Sequence, residues 1–300
     1  MKRAYQEKRF GAAARAAIEQ ANTIIAEYQA AGYELTLRQL YYQHVARGFL
    51  PNLDRSYKNL GALISDARMA GLIDWDAIVD RTRHLRSSPS WKDPAAIVQV
   101  CARQFAIDRW ADQPHYVEAW VEKDALVGVL ETACTPLQVP FFSCRGYTSQ
   151  SEMWAASQRL LRKLIDGKKV LVLHLGDHDP SGVDMSRDIE DRLRTFIAHD
   201  LADGAWDESG IDRLEVCRIA LTMAQIEKHD PPPNPAKITD SRANAYIAQY
   251  GDESWELDAL DPRTLTDLVT KNVSTVLDSG RWEVAEALEE EGRGLLSRVS

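Results

Sequence analysis

The chain has 300 residues, 45% of them hydrophobic, and a net charge of −9. That is enough apolar material for a sizeable core, and the length fits two domains better than one. No run approaches the roughly 18 apolar residues of a membrane span, and Met1-Lys-Arg-Ala-Tyr-Gln-Glu7 lacks the apolar segment of a signal peptide, so no membrane association and a cytoplasmic location beside the nucleoid are expected. Cys101, Cys134, Cys144 and Cys217 are scattered with no Cys-x-x-Cys spacing, which argues against a zinc site or a disulfide framework.

Taken in chain order, residues 5–31 read as an Ala-rich helix, with Phe10, Ala13, Ala17, Ile18, Ala21, Ile24, Ile25 and Tyr28 near 3.6-residue spacing and Gly32 at its end. Thr36 is the expected cap of a second helix. A third helix is expected from Arg55 to Ala70, and Leu72 to Asp80 then reads as a short extended segment. Three helices followed by a small β element is the pattern of a winged helix, a DNA-binding variant of the helix-turn-helix.

Charge is distributed in keeping with that pattern. Residues 1–94 hold 14 Lys and Arg against 10 Asp and Glu, whereas residues 95–300 hold 22 against 35. The run from Arg81 through Arg83 and Arg86 to Lys92 contains no acid and is of the kind that contacts phosphates, although such runs are more often plain solvated segments. Ser87, Ser88, Pro89, Ser90 and Pro94 mark a domain boundary.

Beyond it, strands and helices alternate. Strands are expected at 115–121, 139–144, 169–175 and 214–220, with helices near 96–109, 123–133, 150–165 and 183–201, as in a parallel α/β domain. Residues 229–237, rich in Pro, read as an extended arm, and helices near 240–250, 262–278 and 281–297 finish the chain.

Two acidic clusters sit just past apolar strands. Glu122 follows His115 to Val121, and Gly176-Asp177-His178-Asp179-Pro-Ser-Gly182 follows Lys169 to Leu175. Buried parallel strands deliver such residues to the carboxyl edge of a sheet. Acids after a strand also cap helices, and Asp-Pro-Ser-Gly is a good turn, so either cluster alone has a structural reading. Together, three carboxylates at one edge repel each other unless a cation compensates them, and the donor type suits Mg²⁺. A haloacid-dehalogenase type of phosphatase also carries Asp-x-Asp after a strand, but on the first strand and followed by Thr or Val where this chain has Ser181.

In the second helix Leu37, Leu40, Tyr41, His44 and Val45 form one stripe, which would face the core. Tyr42 is rotated off it by about 100° and lies one turn after Arg38. A phenol is a poor nucleophile until a nearby cation or base favours the phenolate; Arg38 is placed to do that, or to hold a phosphate.

The order Arg38-Gln-Leu-Tyr41-Tyr42, then Val121-Glu122-Lys-Asp-Ala-Leu126, then Gly176-Asp177-His-Asp179-Pro-Ser-Gly182 resembles the A subunit of type IIB DNA topoisomerase (topoisomerase VI) and the related meiotic double-strand-break transesterase. The resemblance runs from about residue 34 to 275 and includes Cys144-Arg145-Gly146-Tyr147 and Trp255-Glu-Leu-Asp-Ala-Leu260. It implies a winged-helix domain over residues 1–94 and a TOPRIM (Rossmann-like parallel sheet) domain with a helical extension over residues 95–300. It further implies a nucleophile at Tyr42 assisted by Arg38, Mg²⁺ on Glu122, Asp177 and Asp179, and double-stranded DNA held by Arg81, Arg83, Arg86, Lys92 and Arg145. A homodimer is implied, in which the tyrosine of one protomer meets the metal of the other. Nothing in the chain resembles an ATPase nucleotide site, so ATP-driven strand passage would need a separate B-type ATPase subunit. Gln39 departs from the family's usual acidic residue, and the chain is shorter than a full A subunit. Two alternatives remain: a TOPRIM nuclease in which water attacks, and a non-cleaving DNA-binding assembly protein.

Overall fold

The computed structural model describes residues 1–79, 88–236 and 239–298. The protein is mixed α/β, 58% helical, with a four-stranded parallel sheet. Its elements are α1 (Ala12–Ala30), α2 (Leu37–Ala46), α3 (Asp54–Met69), α4 (Pro94–Gln104), β1 (His115–Val121), α5 (Val127–Cys134), β2 (Phe141–Ser143), α6 (Gln150–Ile165), β3 (Lys169–Leu175), α7 (Pro180–Asp203), β4 (Leu214–Ala220), α8 (Met223–His229), β5 (Asn234–Pro235), α9 (Ala243–Tyr250), β6 (Glu253–Ser254), α10 (Pro262–Ser274) and α11 (Ser279–Ser297).

The three N-terminal helices enclose one core of Ile18, Ile24, Tyr28, Leu35, Leu40, Tyr41, Tyr42, Leu60, Ile64 and Ile73, joined by Ala259 from far along the chain. Helix α1 starts at Ala12, not at residue 5. Residues 1–10 instead run back along the end of α3, where Ala4 bridges Ala70 and Tyr5 N–H donates to the Met69 carbonyl at 2.7 Å. Gly71 permits this approach: its φ is +73°, and a Cβ there would stand 2.7 Å from the Ala4 nitrogen. The expected extended segment after α3 is a 3₁₀ turn, Trp75–Ala77, because Asp74 accepts from Asp76 N–H, followed by a single parallel bridge between Leu35 and Ile78.

The sheet has the order β2-β1-β3-β4, all parallel, with Ala119 opposite Phe141, Val121 opposite Leu175 and Leu173 opposite Cys217. Strand alternation divides its core. Val117, Ala119, Val121, Leu171, Leu173 and Leu175 pack with α5 and α10 residues on one face. Tyr116, Trp120, Val170 and Val172 pack with α6 and α7 residues on the other. Burying each such aliphatic side chain contributes roughly 1.5–3 kcal/mol, so apolar strands with both faces covered hold firmly. The second face also buries Glu118, whose carboxylate accepts from Tyr116 and Trp120 and from both ends of the Arg159 guanidinium at 2.7 and 3.0 Å. Glu289 of α11 is buried against Arg109 and the Ile107 N–H, which fixes the C-terminal helix beside α4.

The Pro-rich arm begins one residue later than expected, since α8 runs through His229; within it Asn234 and Pro235 pair antiparallel with Ser254 and Glu253, and Lys237 lies outside the described residues. From β6 the chain runs as a strap, residues 253–261, between the helical layer and the sheet. Among the described residues no helix is long and apolar enough to cross a membrane.

Candidate functional site

The carboxyl ends of β1, β3 and β4 meet where the apolar strand pattern stops. Glu122 N–H still pairs with the Leu175 carbonyl at 2.8 Å, so Glu122 leaves the sheet beside the β3–α7 turn. There Glu122 Oε2 accepts from Asp177 N–H at 2.8 Å. Asp179 is the N-cap of α7, its Oδ1 accepting from Gly182 N–H at 2.7 Å and from the Ser181 hydroxyl at 2.9 Å, with Pro180 at the first helical position. The structural reading of this turn is met: Asp179 caps a helix, and it does so at the sheet edge.

Gly182 is required by this packing. A Cβ at residue 182 would lie 2.2 Å from the Asp177 carbonyl oxygen and 3.1 Å from Glu122 Oε2. Gly182→Ala is therefore expected to push the turn away from Glu122 at a cost of about 1–3 kcal/mol. A thermal melt would show it, and an unchanged Tm would mean that the turn has room to spare.

Burial raises the Glu122 carboxyl above the usual carboxylate range. Nearby Asp179 adds to this, while the Asp177 N–H, Lys123 and Arg218 oppose it. Asp177 is raised chiefly by burial, with Glu122 and Asp258 adding to the rise and Lys123 opposing it. Two carboxylates that burial renders reluctant to ionise side by side make an edge that gains from a cation.

Arg218, on β4, carries a charge that the apolar character of the strand concealed. Its guanidinium donates to the carbonyls of Gly176 at 3.1 Å, Asp177 at 2.5 Å and Gly182 at 2.7 Å, stapling the acidic turn to β4. The β3–β4 register shifts between His174 and Leu175 just before this turn. His174 is fully buried, with Nδ1 2.7 Å from the Ser186 hydroxyl, and burial together with Arg218 lowers its pKa to about 3. His178 points away from the acids into Tyr246, Tyr250 and Trp255, its Nδ1 2.8 Å from the Tyr246 hydroxyl. Its backbone pairs with Trp255 in both directions, at 2.8 and 2.9 Å.

Helix α2 begins with the Thr36–Gln39 capping box, so Gln39 serves the helix start. Tyr41 packs as expected and its hydroxyl accepts from Leu53 N–H at 2.9 Å. Tyr42 shares a face with Arg38, whose guanidinium carbon stands 5.9 Å from the centre of its ring. Contrary to its expected place off the core-facing stripe, Tyr42 is as buried as Tyr41 and belongs to the same core, lining a small cleft with Arg38, Tyr57, Asn234 and Glu256. Burial, then Asp258 and Glu256, raise its phenol above the ordinary value and outweigh the opposite pull of Arg38. The expectation that Arg38 favours the phenolate is overcome here, first by burial and then by the two acids that Arg38 itself pairs with, Glu256 Oε2 at 2.7 Å and Asp258 Oδ2 at 3.2 Å.

The strap connects the two places. Lys123 reaches Glu256 Oε2 at 2.7 Å, Asp258 Oδ1 at 2.8 Å and Asp177 Oδ1 at 3.0 Å. Leu257 N–H donates to Asp177 Oδ1 at 2.7 Å. Arg38 and Tyr42 are thus joined to the acidic edge through Glu256 and Asp258 within one chain. Burial opposes ionisation of Glu256, but Lys123 and Arg38 hold it well below the usual carboxylate range.

Glu122, Asp177 and Asp179 share the edge, yet among the described residues no group of three His, Cys, Asp or Glu side chains is drawn together closely enough to hold a metal ion. The reason lies in their partners, since Asp177 turns its carboxylate to Lys123 and Leu257 while Asp179 turns to α7. Arg145 is exposed and 3.2 Å from Asp124, with φ at +55°, and Lys92 is exposed beside Asp93. Arg81, Arg83 and Arg86 lie outside the described residues. No family model matches the chain, and comparison with curated proteins finds no match.

Proposed function

We propose that the protein is a Mg²⁺-dependent DNA transesterase resembling the topoisomerase VI A subunit, in which residues 1–94 act as a winged-helix DNA-binding domain and residues 95–300 as a TOPRIM domain. The observation that carries this reading is that Arg38 and Tyr42 meet the strap that also holds Asp177, beside Glu122 and Asp179 at the carboxyl edge of a parallel sheet.

The residues suit the ion. Three carboxylates are the hard oxygen donors Mg²⁺ takes, and burial makes two of them reluctant to ionise unaided. Glu122, Asp177 and Asp179 would hold it, Asp177 through its second carboxylate oxygen while Oδ1 stays on Lys123 and the Leu257 N–H. When bound, the ion would supply charge stabilisation to a phosphodiester.

The chain's own groups would do the rest. Arg38 orients the phosphate, and Tyr42 loses its proton as its oxygen bonds to phosphorus. The bond from phosphorus to the 3′ oxygen breaks, and that oxygen gains a proton. The products are a 5′-phosphotyrosyl linkage and a free 3′-hydroxyl, so the energy of the bond is kept and the step is reversible. One site cuts one strand. A double-strand break then calls for two chains about a twofold axis, and ATP-driven strand passage for a separate ATPase subunit.

The second reading is a nuclease in which water attacks. It is favoured by the burial of Tyr42 and the upward shift of its phenol. A denaturing gel after incubation with supercoiled DNA and Mg²⁺ separates the two: protein attached to 5′ ends supports the transesterase, whereas cut ends free of protein support the nuclease.

Binding should depend steeply on salt despite the acidic total, because phosphate contacts release counterions. Lys92→Ala and Arg145→Ala are each expected to lower the slope of log affinity against log salt by about 0.9. Fluorescence anisotropy across a NaCl series measures this. An unchanged slope would remove that residue from the DNA surface.

A further inference from the structure

Lys123 lies at the centre of a carboxylate shell of its own. Its ammonium is 2.7 Å from Glu256 Oε2, 2.8 Å from Asp258 Oδ1 and 3.0 Å from Asp177 Oδ1. Asp258 has no exposed side-chain surface, and its Oδ2 has no hydrogen-bond partner; Arg38 Nε is 3.2 Å away but out of line for one. The strap's 3₁₀ turn, Leu257–Ala259, fixes this arrangement through the Leu257 N–H bond to Asp177.

Adjacent residues leaving a strand point to opposite sides, so Glu122 and Lys123 divide the edge between them. Asp177 stands between the two, its backbone N–H on Glu122 and its carboxylate on Lys123. A carboxylate shared between two cationic positions is the arrangement of two-metal phosphoryl-transfer sites.

We propose that Lys123 is a tethered cation filling a second divalent-ion position, made by Asp177, Glu256 and Asp258, so that the sheet edge takes one divalent ion per chain instead of two. The inference rests on the reading that Glu122, Asp177 and Asp179 take the first ion. The nitrogen–oxygen distances exceed the roughly 2.0–2.1 Å of magnesium–oxygen bonds by somewhat under 1 Å, so the carboxylates must draw in by that much on an ion that replaces the ammonium. Removing Lys123 leaves three acids facing Arg38 alone, which is the charge imbalance that recruits an ion.

Mn²⁺ binding to the metal-free full-length protein, followed by electron paramagnetic resonance of the free ion and by calorimetry, tests this. Expected stoichiometries are one ion for the wild type, one for Lys123→Arg, two for Lys123→Ala, and one again for Lys123→Ala combined with Asp258→Asn. Two ions on the wild type, or one on a folded Lys123→Ala protein, would overturn the proposal. No ion on the wild type but one on Lys123→Ala, lost again with Asp258→Asn, would overturn the reading of the Glu122 site and leave the Lys123 site standing. If Lys123→Ala is unfolded without metal, Lys123→Ser serves as a second variant and both are refolded with millimolar Mn²⁺. Recovery of the wild-type circular dichroism supports an ion replacing the ammonium, and failure of both variants to recover overturns it.

Discussion

Glu122→Gln is expected to lower Mg²⁺-dependent cleavage of supercoiled DNA by about 10²–10³-fold, the usual loss when one charge-stabilising group is removed from a reacting centre. The substitution keeps an oxygen for the Asp177 N–H that Glu122 now accepts at 2.8 Å, so the turn should hold its place. It removes the charge that burial makes costly, so the variant should melt at or slightly above the wild-type temperature. Asp177→Asn differs in kind. The amide oxygen can still accept from Leu257 N–H, but Lys123 loses one of its three carboxylates. Asp179→Asn retains a capping side chain and should give the mildest loss of the three. Wild-type cleavage by a folded Glu122→Gln protein would take the acidic edge out of the chemistry.

The parts of this site that could be read from the sequence are those set by local pattern. The bounds of β1, β3 and β4 follow from largely apolar runs, and Glu122 and Asp177 fall one and two residues beyond β1 and β3, where the pattern stops. Tyr41 and Tyr42 separate by helical angle alone, and the structure keeps their different partners: Leu53 for the first, Arg38 for the second. What could not be read depends on contacts between distant residues. Lys123 and Glu256 are 133 positions apart, and no periodicity ties them together. Residues 5–11 read as helix because Phe10 extends the spacing of α1, whereas pairing of Ala4 with Ala70 governs this arm instead. Arg218 left a usable signal. A guanidinium on a buried strand costs too much unless its donors are satisfied, so Arg218 between Cys217 and Ile219 already implied nearby carbonyl oxygens.

The same distant contacts bear on the nucleophile. Tyr42→Phe removes one oxygen and little volume, so its stability should change by no more than about 1 kcal/mol. Covalent attachment to DNA should disappear. Tyr41→Phe makes the opposite comparison. It leaves the Leu53 N–H at the start of α3 without its 2.9 Å acceptor, which destabilises by about 1–3 kcal/mol, yet attachment should persist because this hydroxyl faces Asn52 and not the strap. In the structure Tyr42 is closed in beside Glu256, and burial, with two carboxylates adding to it, holds its proton on. A DNA phosphate arriving at Arg38 would compete with Glu256 for the guanidinium and lower the barrier to opening that cleft. Glu256→Gln therefore weakens the hold on Arg38 and should raise attachment at low DNA concentration, provided Tyr42 is the attacking group. All three variants are scored on one denaturing gel for DNA carrying protein at its 5′ ends. If Tyr42→Phe cuts at the wild-type rate and leaves ends free of protein, water is the nucleophile, Tyr42 is a packing residue of α2, and the protein is a nuclease.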